Sequence, residues 1–289
     1  MNNSPPAPFV QRSKGVAILS LTTFIWGTTF VITQNALAHF PASALVLLRF
    51  VIAGILFLPF LRTGWRLWTA AFELGALLWL GFATQTIGLR YTTVDRSAFI
   101  TSMHVIFVPA FAGLLGRSSR PIIWIAAVMA LLGVGLLSHD VSPPNLGDCW
   151  TLACAVIWAI YITRLETLTA KLPSTALTAA HIWVVIVLSA GWTYFAHEKI
   201  GPIPWKAVIY LGVAATAATT WFQTVGQKWV SAPQAAVVYT LEPVWAAIFA
   251  WIFLAQRLGP RGWEGGGLIL SAALLTQLPK QKTVTVPSE

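Results

Sequence analysis

Two matching stripes of residues could hold a small molecule. Thr22, Trp26, Thr29 and Thr33 are spaced by four, three and four residues, and Thr151, Cys154, Trp158 and Tyr161 by three, four and three. On an α-helix each set shares one face. Phe82 and Gln85, then Ser97, Thr101 and His104, then Thr216, Thr220, Gln223 and Gln227, then Tyr239 and Glu242 add further polar and aromatic groups inside apolar runs. This set offers recognition rather than bond-making. Indole and phenol rings take apolar groups by stacking and ammonium groups by cation–π attraction, while Gln and His both donate and accept hydrogen bonds. Plainer roles compete. Thr and Ser in apolar helices commonly serve packing and backbone bonding, and His104 could bond a neighbouring helix. Tryptophan favours membrane interfaces, which suits Trp65, Trp68, Trp150, Trp205, Trp229 and Trp263. Trp26 and Trp158 lie mid-run on polar-flanked faces, so each either walls a cavity or packs. Gln85 and Gln223 are costly to leave in lipid and must face protein or water.

Two charged residues belong to the same runs. Arg49 lies near the start of its run, and a cation at a helix centre costs about 2.5–3.5 kcal/mol on insertion scales. It either binds an anion or bonds backbone carbonyls, and the second is the expected role. Glu242 stands before Pro243, which cannot donate to the helix ladder, so the pair marks a local break. Glu242 either carries a proton or bonds the backbone groups freed there, and again the structural role is expected.

Several chemistries have no residues to perform them. There is no Gly-rich phosphate loop ending in Lys and Ser/Thr, hence no ATP motor. No run holds a nucleophile, base and acid together, or a His-Glu-x-x-His pair. Cys149 and Cys154 are five apart without a His or Cys cluster beside them, so they are read as packing residues, with no metal or disulfide. Neither cofactor nor metal is expected.

The elements that carry these residues are long and apolar. The 289 residues are 57% hydrophobic and 9% charged, far too little charge for a soluble domain. Ten stretches, at about 15–36, 43–61, 70–90, 97–115, 121–138, 147–168, 175–196, 205–228, 234–255 and 261–278, approach the roughly 20 residues that a helix needs to cross a bilayer. Lipid offers no partners to free backbone groups, so the spans must be helices. The net charge of +9 does not point to nucleic acid, because of 18 Lys and Arg only Arg49 falls clearly inside a span. With a cytoplasmic N-terminus, the inner segments hold Arg12, Lys14, Arg62, Arg66, Arg117, Arg120, Arg164, Lys171, Lys228, Lys280 and Lys282, and the outer loops hold Arg90, Arg96, Lys199, Lys206, Arg257 and Arg261. That excess puts both termini in the cytoplasm. The first span shows no small-residue cleavage site and is expected to be retained. Tails 1–14 and 279–289 are expected to be disordered, and 139–146 to be an external linker.

The chain also repeats itself. Thr22, Trp26, Thr29, Pro41 and Arg49 match Cys154, Trp158, Tyr161, Pro173 and His181, each 132 positions on. Gln85-Thr86-Ile87-Gly88 echoes Gln223-Thr224-Val225-Gly226 at 138, and Trp124 matches Trp263 at 139. Ordered matches at a nearly constant offset mark a duplication. Five spans per copy force the second copy, 147–278, to lie inverted relative to the first, 15–138. Inverted repeats of this kind build secondary transporters with a site near the midplane.

Trp26 at mid-span one, Leu48-Arg49-Phe50, Val108-Pro109 and Leu241-Glu242-Pro243-Val244 resemble the recurring marks of the EamA-type branch of the drug/metabolite transporter superfamily. The resemblance covers nearly the whole chain. Ile157-Trp158-Ala159-Ile160-Tyr161 is most similar to the YddG-type amino-acid exporters. Members often carry an acid just after spans four and nine, where this chain reads Gly116-Arg117-Ser118 and Ala255-Gln256-Arg257.

The sequence therefore reads as an all-α polytopic membrane protein of ten helices in two inverted five-helix repeats. Its expected function is export of small metabolites, amino acids (including aromatic ones) foremost, across the inner membrane by alternating access. The substrate-binding candidates are Trp26, Thr29, Phe82, Gln85, His104, Trp158, Tyr161, Gln223 and Tyr239. A carrier of sugars, nucleotide-like or anionic metabolites would need several deep basic residues, and only Arg49 qualifies. A receptor or assembly protein without transport is the remaining alternative. Its expected partners are the bilayer and a small molecule, with the chain a monomer or weak dimer.

Overall fold

The structure, a computed structural model, describes residues 9–114, 116–117, 119–138, 143–254 and 259–278. Tail 279–289, residues 1–8, part of the linker and positions 255–257 thus lie outside the described residues. Every described element is a helix. In the first half these are α1 (Phe9–Gly27), α2 (Thr29–Leu37), α3 (Ala42–Phe57), α4 (Trp65–Gly88), α5 (Val94–Ser102), α6 (His104–Leu114) and α7 (Pro121–Leu137). The second half holds α8 (Leu146–Thr169), α9 (Ser174–Ala196), α10 (Trp205–Gly212), α11 (Thr219–Gly226), α12 (Ala232–Tyr239), α13 (Leu241–Leu254) and α14 (Pro260–Leu275), with a π-helical turn, Val213–Ala218, joining α10 to α11.

Two expectations need correction. Residues 9–14 are not a loose tail but the first turns of α1. Among the described residues seven helical stretches, rather than ten, are by themselves long and apolar enough to cross a membrane, one of them Val10–Leu37 through the break at Thr28. The shortfall has physical causes. The stretch 232–254 is divided at Thr240, and α7 and α14 hold only 17 and 16 residues.

Starts and breaks follow local chemistry. Pro41 and Pro173, a repeat-related pair, stand in extended conformation just before α3 and α9; a proline ring fixes φ and needs no hydrogen-bond acceptor there. Asn145 and Asp148 close a capping box at the start of α8. The break at Thr240 is where Pro243, lacking an N–H, leaves the Tyr239 carbonyl without its i+4 donor. Thr240 folds back instead, its hydroxyl donating to the Val237 carbonyl at 2.6 Å.

The halves interleave. From the first half, α4 packs on α8 and α9, α3 on α9, α1 on α11 and α13, and α7 on α14. Gly88 and Gly147 let α4 and α8 meet backbone to backbone: a Cβ on Gly147 would stand 2.8 Å from the Gly88 carbonyl oxygen. Small residues at such crossings permit the close packing that membrane helices rely on. Large apolar side chains such as Trp65, Phe72, Leu132, Tyr194 and Leu274 project outward, as suits a lipid environment and not water.

Four ion pairs join described residues of one half to the other. At one end of the bundle, called upper here, Arg90 pairs with Glu198 at 3.0 Å and Arg96 with Asp148 at 2.7 Å. At the opposite, lower end Arg117 pairs with Glu166 at 3.3 Å and Arg164 with Glu73.

Candidate functional site

Four of the interrupted helices meet at the centre. Where α1 gives way to α2, the hydroxyl of Thr28 donates to the Ile25 carbonyl at 2.7 Å and lies 2.5 Å from the Tyr210 hydroxyl. Thr29, opening α2, donates to the Trp26 carbonyl at 2.9 Å. Between α5 and α6, Met103 forms a turn and His104 begins the new helix. The third and fourth interruptions are the π turn at 213–218 and Thr240. Discontinuous helices of this kind frame the sites of inverted-repeat transporters.

The breaks near Thr28, Met103 and Thr240 border a cavity of about 640 Å³ of atom-free space, its open mouth included, and the π turn is joined to it through Arg49. Trp26, Thr29, Phe82, Gln85, His104, Trp158, Gln223 and Tyr239 all line it. They come from α1, α2, α4, α6, α8, α11 and α12, so both halves contribute. The aromatic wall is continuous: Trp26 and Trp158 have ring centres 5.8 Å apart, Trp26 and Tyr239 5.6 Å, and Phe82 meets Trp158 edge-on at 5.7 Å. Tyr161 is placed differently. It is fully buried, stands edge-on behind Trp158 at 5.4 Å and faces His181 of α9.

The polar lining has unspent hydrogen-bonding capacity. His104 Nδ1 lies 2.8 Å from the Thr101 carbonyl; a carbonyl only accepts, so Nδ1 carries the proton and Nε2 of the neutral ring is the acceptor. That Nε2, the Thr101 hydroxyl and the Gln223 amide nitrogen are buried and make no hydrogen bond among the described residues. Buried polar groups are normally satisfied, so three orphans on one cavity wall are suited to a polar guest or water. Below them Tyr239 donates to Gln227 Oε1 at 3.3 Å, and Gln227 donates to the Ile162 carbonyl at 3.0 Å.

Both charged residues also face this space. Arg49 behaves as the sequence suggests. Its Nε donates to Thr216 Oγ1 at 2.7 Å and one terminal nitrogen, Nη2, to the Ala215 carbonyl at 3.0 Å. The guanidinium thereby clasps the π turn, and its carbon lies 4.5 Å from the centre of the Phe82 ring. Glu242 departs from its expected role. Its carboxylate bonds no freed backbone group and makes no hydrogen bond or ion pair among the described residues, although it opens α13 on the cavity wall.

Other stripe residues are spent on the backbone. Thr22 donates to Ile18, Thr151 to Gly147, and the Cys154 thiol to the Gly81 carbonyl at 3.4 Å. Sequence reasoning missed Phe30, Thr86, Leu89 and Ile162 on the lining. Leu89 and Ile162 follow Gln85 and Trp158 by four, so helical spacing could have found them had apolar residues been considered. No group of His, Cys, Asp and Glu among the described residues could hold a metal.

Comparison with known proteins bears on the whole chain. The EamA-like transporter family pattern matches twice, over residues 13–139 and 145–278. An "uncharacterized transporter" of Archaeoglobus fulgidus is 32% identical over 90% of this chain and 84% of its own length. The "biotin transporter" of Salmonella typhimurium is 25% identical over 70% and 72%. A solved structure, described only as "Crystal structure of protein", shares the fold with a TM-score of 0.77, covering 91% of this chain and 96% of its own at 20% identity.

Proposed function

The chain belongs to the EamA-like transporter family, a multi-pass membrane transporter of small molecules and not an enzyme, and we propose that it exports amino acids by alternating access. The observation that carries this reading is the wall formed by Trp26 and Trp158 with the orphan polar atoms of Thr101, His104 and Gln223 beside it. Aromatic faces accept varied apolar side chains and ammonium groups. The orphan donors and acceptors suit the constant polar part of an amino acid. In this reading the chain forms two inverted repeats, with the shorter helices α7, α13 and α14 crossing beside the seven long stretches, and the excess of inner Lys and Arg sets both termini in the cytoplasm of an inner-membrane protein.

The relatives named biotin transporters give a second reading, a cyclic metabolite with a carboxylate tail. Arg49 on the cavity wall is the feature that favours it. Proteoliposome flux separates the two. Purified protein should exchange labelled amino acids, aromatic ones included, faster than biotin; faster biotin exchange with inert amino acids would reverse the assignment.

A further inference from the structure

Two formal charges face the cavity, and they are treated in opposite ways. Arg49 is engaged: Thr216 Oγ1, the Ala215 carbonyl and the Phe82 ring surround its guanidinium. Glu242 is not. It is partly accessible to the cavity, and no described residue gives its carboxylate a hydrogen bond or a cation. Arg49 is its only cationic neighbour on the lining, and no ion pair joins them. An ionised carboxylate in such surroundings is costly unless something in the cavity compensates it. Its place in the first turn of α13 favours the anion, and Tyr239 one turn back brings an aromatic ring to the same wall.

We infer that Glu242 is the specificity residue that reads the ammonium group of the substrate, so that the cavity selects free amines over the same molecules with the amine blocked. This rests on the amino-acid reading above and sharpens it. The carboxylate supplies the charge, and the rings of Trp26 and Tyr239, 5.6 Å apart, supply cation–π faces beside it. A substrate carboxylate would lie toward Arg49, whose Nη1 makes no hydrogen bond among the described residues. A metabolite that is only an anion would leave Glu242 unmatched.

Counterflow tests this, because it needs no net proton movement and is blind to a pure proton-carrying role. Proteoliposomes would be loaded with unlabelled leucine or N-acetylleucine, and uptake of the same labelled compound followed. The wild type should prefer leucine by about tenfold or more, the scale of one charge-assisted contact. Glu242→Gln should abolish that preference while keeping N-acetylleucine exchange and the melting temperature. Glu242→Asp, which keeps the charge, should restore part of the preference and carries the test if Glu242→Gln does not fold. An unchanged leucine preference in Glu242→Gln overturns the inference, as does equal loss of both compounds from a folded protein. A wild type that moves neither compound defeats the amino-acid reading instead. Quenching of tryptophan fluorescence by the two compounds then decides: a leucine preference removed by Glu242→Gln sustains the inference, and no preference ends it.

Discussion

Trp158 is where wall and packing make different demands on one side chain. It lines the cavity yet is only 7% exposed, with Tyr161 behind it and Phe82 beside it. A tryptophan that merely packed would cost about 3–5 kcal/mol on truncation to alanine. A wall residue loses less, because one of its faces meets space. Trp158→Ala should therefore cut flux sharply and unequally across large and small substrates while lowering the melting temperature only slightly; a large fall with an unchanged substrate profile would make it a packing residue. Arg49 predicts the reverse. Arg49→Ala removes charged hydrogen bonds worth about 1.5–3 kcal/mol each and releases the π turn from α3, so thermal unfolding should shift well downward. Much of the cavity lining was legible residue by residue, because polar and aromatic groups deep in apolar runs have few tolerable places to go. Tyr161 was not. Its spacing of three from Trp158 puts both on one helical face, but spacing does not reveal that its ring turns toward His181 on another helix.

At the scale of the element, the breaks decide what the helices can do. The interruption at Thr240 was legible, since Pro243 removes a donor wherever the rest of the chain goes. The one at Thr28 was not, because it depends on Tyr210 from α10 and on Gly27, whose position leaves no room for a Cβ beside Trp245. Nor was the π turn, which Arg49 clasps from a different helix. Pro243→Ala would return an N–H to the Tyr239 carbonyl and favour one continuous helix. Thermal stability should rise and transport fall; unchanged transport with a straightened helix would show that the break is incidental. Gly88→Val should do the opposite, since a Cβ there already falls 2.6 Å from the Thr151 hydroxyl and would wedge α4 from α8, with a lower melting temperature the expected readout.

For the molecule as a whole, the long apolar runs made the helical, duplicated plan readable, while the ion pairs between the halves were hidden because they join residues 49 to 108 positions apart. The ion pairs at the two ends tie the same halves together, and the alternating access proposed above would require each end to release in turn. Glu198 illustrates the upper tie. Partial burial pushes its carboxyl upward, but hydrogen bonds from Ser43 and Arg90 outweigh this and hold it below the usual range. A carboxyl depressed in the folded state stabilises above its unfolded pKa and loses that contribution as pH falls through the folded value. Glu198→Gln should thus lower the melting temperature at neutral pH, with the difference from wild type vanishing in acid; a difference independent of pH would remove the ion pair from the account. The central claim, that the space between Trp26 and Trp158 is the passage for amino acids, is tested most directly by counterflow of a labelled amino-acid panel through proteoliposomes of wild type and Trp158→Ala. The account predicts exchange by the wild type and an altered order of substrates in a folded variant. Amino-acid exchange with the same order and rates in both proteins would contradict it.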